Sequence, residues 1–443
     1  MCSCWNKTLM KMIKLIMYQL YRGFLSVVRG IIKLTLIELV YIIVICAMFF
    51  IIINTRCDTS NTVIQRSERP VIMWWKSDFP GTSNTRQCAD GVKCDVFSNN
   101  NDTDFNSIDA FLFYASNINF DNLPLPRRPA SHIWGLFHEE SPRNVEELSH
   151  EEALRLFNFS STFSRYSDVP FPLQYLRSKQ DITSKEYYVP VDQKNKFLTD
   201  ISPVMYLQTD CETSTERDAY VKELMKYIKV DSYGACLRNK ELPEKFTTNY
   251  LNNLHEDSFL KFIARYKFVI AIENGVCYDY VTEKFWRSII VGTVPIYFGS
   301  PAIRDWFPNN KSAILLEDFP SPKLLADHLM MLSDNDTLYE EHLVHKTKEM
   351  ITNYKLIEEL KVREYQLDPL MVVQRFECLI CEVLHSRKDG RNLTVNVLNE
   401  SHYNCPEPVS ALTLKVNPNN FWVSSWMLAK KKAKEIYARV MLN

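Results

Sequence analysis

Residues 266–301, YKFVIAIENGVCYDYVTEKFWRSIIVGTVPIYFGSP, allow few folds. Phe268–Ile272 is a short apolar run between polar flanks, the pattern of a buried strand. A loop follows, and then Phe285, Trp286, Ile289 and Ile290 fall at helical spacing behind Thr282, a residue type that caps helix N-termini. Gly292 ends the helix, and Val294–Phe298 reads as the next strand. Strand, loop, helix and strand make one βαβ unit of a parallel sheet. Such sheets bind ligands at the carboxyl ends of their strands, where helix N-termini favour anions. Asn274, Tyr280, Glu283 and Lys284 fall at that place and predict a nucleotide-sugar pocket.

The same rhythm recurs along the chain. Pro70–Trp75 and Ala110–Tyr114 read as strands, and Val204–Leu207, a helical run at 219–228 and Lys229–Tyr233 repeat the order strand, helix, strand. Arg217 stands near that helix start and could face phosphate there, although its spacing alone fits a surface arginine better. Ile133–Phe137 runs straight into His138-Glu139-Glu140-Ser141-Pro142. A carboxylate at a strand end, stiffened by the next proline, is placed for general-base work, although the spacing alone favours a solvated acidic turn. Asp-x-Asp occurs at Asp102/Asp104 and Asp334/Asp336, but both copies overlap sequons and neither follows a buried strand. They read as solvated loops, and no essential metal is expected. Amphipathic helices are expected over 321–332, 335–359 and 424–441. His342 and His345 lie on the second without a third ligand and read as ordinary exposed histidines. The Lys430–Lys434 cluster lies on the third and reads as a solvated face.

Residues 34–53, LTLIELVYIIVICAMFFIII, are long enough to span a bilayer and carry one charge, Glu38, near one end. Six basic residues and no acidic one precede this run, which predicts an uncleaved anchor with a cytoplasmic N-terminus. The expected order is a tail at 1–33, the span at 34–53, a stem at 54–69, domains at 70–200 and 201–362, and a C-terminal helix and tail at 363–443. Beyond the span, 46 basic groups face 52 acidic ones, a net of −6 that argues against a general nucleic-acid surface. Sequons there, at Asn101, Asn158, Asn310, Asn335, Asn392 and Asn399, are candidate N-glycosylation sites. Nine of the twelve cysteines also lie there, and an oxidising compartment favours disulfides. Cys378-x-x-Cys381 could instead be a redox motif or half of a zinc site, but there is no second CxxC and its surroundings form an apolar helical run. Nine is odd, so at least one thiol is expected to be free or intermolecular.

The motifs AIEN, DYVTEKFW and VPIYFGSP of the 266–301 stretch resemble the signature of the α-1,3-fucosyltransferase family, glycosyltransferase family 10. The resemblance continues through HEESP (138–142), FNFSSTFSR (157–165), VDSYG (230–234) and the late CxxC, and so spans about Pro70 to Cys381. FLFYASNINFDNLPLPR (111–127), DSYGACLRNKELP (231–243) and Cys405-Pro406-Glu407-Pro408 are similar to the branch called fucosyltransferases 10 and 11. The resemblance implies an α/β chain with a GT-B fold: two Rossmann-like domains facing a cleft, acceptor on the first and GDP-fucose on the second. Behind a single N-terminal transmembrane helix, this would be a type II membrane protein of the Golgi or endoplasmic reticulum, with its catalytic part lumenal.

By motif position, Glu140 becomes the general base, and Arg217, Asn274, Tyr280, Glu283 and Lys284 become the donor-binding residues. Glu283 suits ribose hydroxyls, and Arg217 with Lys284 could neutralise the diphosphate in place of a metal. The resemblance implies bridges from Cys378 and Cys381 back to Cys88 and Cys94, and it makes Cys211–Cys236 a further candidate pair. The implied reaction is inverting transfer of fucose from GDP-fucose, the donor substrate, with no obligatory cofactor. The implied acceptor is a glycoprotein, either at N-acetylglucosamine of an N-glycan or at Ser/Thr of a small disulfide-rich domain. The rival reading is a fucosyltransferase-like lectin or folding factor of the early secretory pathway.

Overall fold

A computed structural model of the chain describes residues 69–77, 79–80, 84–98, 105–128, 132–176, 178–247, 256–390 and 396–441. The expected tail, span and nearly all of the stem lie outside these residues, as do Cys57, Asn101, Asp102, Asp104 and Asn392. No helix among the described residues is long and apolar enough to cross a membrane.

Two sheets carry the fold. The first contains β1 (Val71–Trp74), β2 (Asn84–Gln87), β3 (Lys93–Ser98), β4 (Ala110–Tyr114), β5 (Ile133–His138) and β6 (Phe159–Thr162), in the order β2-β3-β1-β4-β5-β6. All its pairs are parallel except β2 with β3. The second contains β7 (Val204–Gln208), β8 (Val230–Gly234), β9 (Phe268–Ile272), β10 (Val294–Phe298) and β11 (Ile314–Leu315), in the order β11-β10-β9-β7-β8 and parallel throughout. Strands β5 and β10 are buried at every position, which is why they read as continuous apolar runs rather than alternating ones. The edge strand β2, NTRQ, is polar and largely exposed, a composition that discourages pairing with another chain.

The chain returns to the first sheet after completing the second. Helix Pro369–Lys388, capped by Asp368, sets Phe376, Ile380 and Leu384 against Trp74, Leu112 and Ile133 of the first sheet. Gly135 on β5 permits the close approach, because a Cβ there would lie 2.9 Å from the Phe376 ring and 2.6 Å from Leu112. Disulfides Cys88–Cys378 and Cys94–Cys381 fix the helix in place. Between them the buried carboxylate of Glu377 accepts from Trp74 Nε1 at 2.9 Å and Arg86 Nε at 2.6 Å. Cys211 pairs with Cys236, and Cys277 pairs with Cys405. All eight cysteines among the described residues are therefore bridged, and no zinc or redox role is left for Cys378 and Cys381.

Three expectations are corrected. The run 335–359 is not one helix but three short ones: Asp336–Glu340 and Val344–Thr347 are joined by a 3-10 turn at Glu341–Leu343, and Tyr354–Val362 starts after Thr352 and Asn353 donate their backbone N–H groups to Pro308 O. His345 is buried rather than exposed. Its Nε2 meets Ile289 O at 3.3 Å, and burial holds its pKa down to about 3. Asn158 cannot carry a glycan in the folded chain. It is 1% exposed, its Oδ1 accepts from Trp134 N at 2.9 Å and its Nδ2 donates to Asn396 O at 2.8 Å. Asn310, Asn335 and Asn399 are exposed. Peptide mapping of secreted protein should find Asn158 unmodified, and a glycan there would contradict this packing.

The buried histidine also predicts a pH dependence. The unfolded imidazole takes its proton near pH 6.5 and the folded one near 3, so between these values the unfolded state holds more protons and acid removes stability. The stability of the wild type relative to His345→Gln should fall by roughly 1.4 kcal/mol per pH unit below 6.5. Urea unfolding at pH 7 and 5.5 reads this difference, and a constant gap would show that His345 titrates normally.

Candidate active site

The carboxyl ends of β5 and β9 meet at the seam between the two sheets. Strand β5 passes directly into Glu139 and Glu140, while β9 passes into Glu273 and Asn274. Four contacts close the seam. Tyr280 donates its hydroxyl to Glu140 Oε2 at 2.7 Å. Ser141 Oγ reaches Asn274 Oδ1 at 3.2 Å. Arg143 pairs with Asp210 at 2.7 Å. Arg165 pairs with the buried Asp279 and with Asp305 while its guanidinium lies 4.7 Å from the centre of the Trp306 ring.

Glu140 is held between two tyrosines, since Tyr175 also directs its hydroxyl to Oε1 at 3.5 Å. Burial, reinforced by the Glu140 charge, pushes both phenols well above their usual range, so they stay protonated and act as donors. Two protonated phenols thus give the carboxylate a fixed orientation. Neighbouring Glu139 accepts from Tyr114, and burial pushes its pKa up.

The other half of the site is the N-terminus of helix Glu283–Val291. Thr282 is its N-cap and Gly292, with φ +68°, ends it, as the residue types require. Lys284 Nζ lies 3.1 Å from Glu283, 3.6 Å from Glu273 and 3.1 Å from Thr282 Oγ1. Glu273 is fully buried, accepting from Thr282 N at 2.8 Å and Oγ1 at 2.7 Å. Burial pushes it up to about 7 against the pull of Lys284. For Glu283, burial is outweighed by Lys284 and Arg287, which hold it down to about 2. The two carboxylates around one ammonium thus differ: Glu283 is held down and ionised at neutral pH, while burial pushes Glu273 up.

The structure brings together Glu140, Asn274, Tyr280, Glu283 and Lys284, and it buries Arg217 beside the β9 end. Arg217 opens helix Arg217–Leu224 and is 1% exposed. Its guanidinium donates to Asp210 O at 2.5 Å and Ile272 O at 3.3 Å, so it braces the loop after β7 against the end of β9. Sequence reasoning missed Glu273, Tyr175 and the Cys277–Cys405 bridge. An acid closing the apolar run 268–272 was a usable signal for Glu273. The tyrosine lies in a weakly periodic loop, and disulfide connectivity cannot be read from spacing.

Comparison with known proteins gives the family. Residues 193–400 match the model described as glycosyltransferase family 10 (fucosyltransferase), C-terminal part, and residues 67–174 match that described as fucosyltransferase, N-terminal. An alpha-(1,3)-fucosyltransferase B of Drosophila melanogaster is 45% identical over 77% of this chain and 77% of its own length. The human GDP-fucose protein O-fucosyltransferase 3 is 40% identical over 83% of this chain and 78% of its own. A crystal structure of an alpha1,3-fucosyltransferase with GDP-fucose aligns at a TM-score of 0.41 and 16% identity, covering 70% of this chain and 94% of that one. With both family models matched and relatives this similar over most of its length, the chain belongs to glycosyltransferase family 10, the fucosyltransferases.

Proposed function

We propose that the chain transfers L-fucose from GDP-fucose to a hydroxyl group of a protein acceptor, with inversion at the anomeric carbon. The observation that carries this reading is the contact of Tyr280 with Glu140, which joins the β5 end to the donor-side loop at one point. Glu140 takes the proton of the acceptor hydroxyl as its oxygen bonds to the anomeric carbon. The bond from that carbon to the phosphate oxygen breaks, and its electron pair leaves on GDP. The Lys284 ammonium meets the negative charge that grows on the departing diphosphate. Glu283, ionised at neutral pH, accepts from ribose hydroxyls, while Asn274 and Tyr280 line the donor side. Arg217, which braces the loop after β7 against the β9 end, stands with these donor-side residues. The two halves would form a GT-B cleft, with the acceptor on the first sheet and the donor on the second.

Serine or threonine of a protein, on a small disulfide-bonded domain, is the favoured acceptor; the name of the protein O-fucosyltransferase 3 relatives of human, rat and chicken supports its O-linked protein part. N-acetylglucosamine of an N-glycan is the second reading; the α-1,3 linkage in the name of the Drosophila relative is one made to a sugar. The 34–53 run would anchor the chain as a type II protein in the Golgi or endoplasmic reticulum membrane.

The test offers secreted residues 60–443 labelled GDP-fucose with a panel of disulfide-bonded domains, an N-glycan core and a lactosamine glycan, in the presence of chelator. Label on Ser/Thr of a folded domain is the expected result, and label on the glycans alone would establish the second reading. No label with no GDP-fucose bound would replace both by a lectin or folding factor.

A further inference from the structure

Glu273 directly follows β9 on the donor side, yet neither donor contact nor proton transfer has so far engaged it. The residue is 0% exposed. Its Oε1 accepts from Thr282 N at 2.8 Å and its Oε2 from Thr282 Oγ1 at 2.7 Å, while Lys284 Nζ lies 3.6 Å from Oε2. The segment after β10 closes in on it, since a Cβ on Gly299 would lie 2.5 Å from Glu273 Cγ.

The charged groups that act on Glu273, namely Lys284, Glu283 and Arg287, lie on helix Glu283–Val291. The phenols that face it, Tyr280, Tyr175 and Tyr297, are held protonated by burial and carry no charge. Two cations therefore face two carboxylates, and the group is balanced. Arg287 lies 3.8 Å from Glu283, so Lys284 is the cation on which Glu273 depends.

A nucleotide diphosphate brings two negative charges to the Lys284 ammonium. They offset its pull on Glu273, and a buried carboxylate that loses its cation is costly unless it takes a proton. Burial already pushes Glu273 in that direction. Thr282 is built to accommodate the change. Its hydroxyl donates to Glu273 Oε2 and meets Lys284 Nζ, at 3.1 Å, with a lone pair. Once the ammonium turns to the diphosphate, a lone pair is free to accept an O–H on Oε2, with Thr282 and Glu273 where they are.

We propose that Glu273 is a positioning residue for Lys284: it holds the ammonium at the helix N-terminus and takes up one solvent proton on Oε2 as the diphosphate of GDP-fucose binds, which frees the ammonium for the leaving group. The inference rests on the donor-site reading of Lys284. The donor complex then holds more protons than the free chain, so acid favours donor binding over the pH range between the two Glu273 pKa values. The diphosphate of GDP-fucose is esterified at both ends and does not itself titrate there.

The test is calorimetry of GDP-fucose binding to the secreted chain at pH 5.5, 6.5, 7.5 and 8.5, each in two buffers of different ionisation enthalpy, which counts the protons taken up. The expected uptake is about half a proton or more at its maximum, fading toward zero at pH 5.5, where Glu273 is protonated with and without donor. The Kd should be at least about fourfold lower on the acid plateau than at pH 8.5. Glu273→Gln, whose amide can accept from Thr282 N and donate to Thr282 Oγ1, should bind donor with no uptake and a flat pH profile. Lys284→Ala should lose the uptake too, because Glu273 is then protonated beforehand. A purely structural role for Glu273 would leave the proton count of Glu273→Gln equal to that of the wild type. Donor binding without uptake at any of these pH values, or with the same uptake in Glu273→Gln, would overturn the proposal, and the wild-type profile decides alone if the variant does not fold. No GDP-fucose binding at any pH would overturn the donor reading and this inference with it.

Discussion

Glu140→Gln should lower fucose transfer by about a thousandfold, within the range that loss of a positioned general base produces. The amide oxygen can still accept from Tyr280, and the amide nitrogen in place of Oε1 can donate to the Tyr175 hydroxyl oxygen, so the seam stays closed and the fold is kept. What is lost is the capacity to take a proton. GDP affinity should stay within about twofold, because the interaction removed belongs to the transition state rather than to donor binding. Measuring kcat and the GDP dissociation constant on the same preparation separates the two effects. Wild-type turnover by the variant would remove Glu140 from the mechanism, and lost GDP binding would mean that it supports the donor instead.

Lys284→Ala should cost roughly a hundredfold or more in kcat/KM, the scale of removing one preorganised electrostatic partner of a leaving group. Donor affinity should weaken as well, by about tenfold, the worth of a hydrogen bond to a charged group. Lys284 stands between Glu273 and Glu283, and its removal leaves Glu283 with Arg287 but the buried Glu273 without its cation. Glu273, already pushed up by burial, is then the one that takes a proton. GDP titration together with a thermal midpoint distinguishes a lost donor contact from lost stability. Unchanged GDP affinity would take Lys284 out of the donor site.

The core of the second sheet was legible because its chemistry is local. An apolar run, a threonine cap, a helical repeat and a glycine stop occupy adjacent positions in 268–292, and each has one structural meaning. The placement of Glu283 and Lys284 at a helix N-terminus follows from that alone. Glu140 was visible as an acid at a strand end, but spacing could not separate a base from a solvated turn. The decisive partners, Tyr175 and Tyr280, come from 35 and 140 residues away in sequence. Arg217 shows the opposite limit. Its position at a helix start was read correctly, yet whether the guanidinium faces the cleft or the loop backbone depends on the Asp210 and Ile272 carbonyls, which no local pattern specifies. Asn158 fits a sequon and sits in the core, because the motif says nothing about burial.

The most direct test of the account is a crystal structure of the lumenal chain with GDP-fucose. It should place the diphosphate on Lys284 Nζ and the ribose against Glu283. The fucose anomeric carbon should then face Glu140, with room for an acceptor oxygen about 3–3.5 Å from that carbon. A diphosphate seated away from Lys284, or a fucose turned away from Glu140, would contradict it.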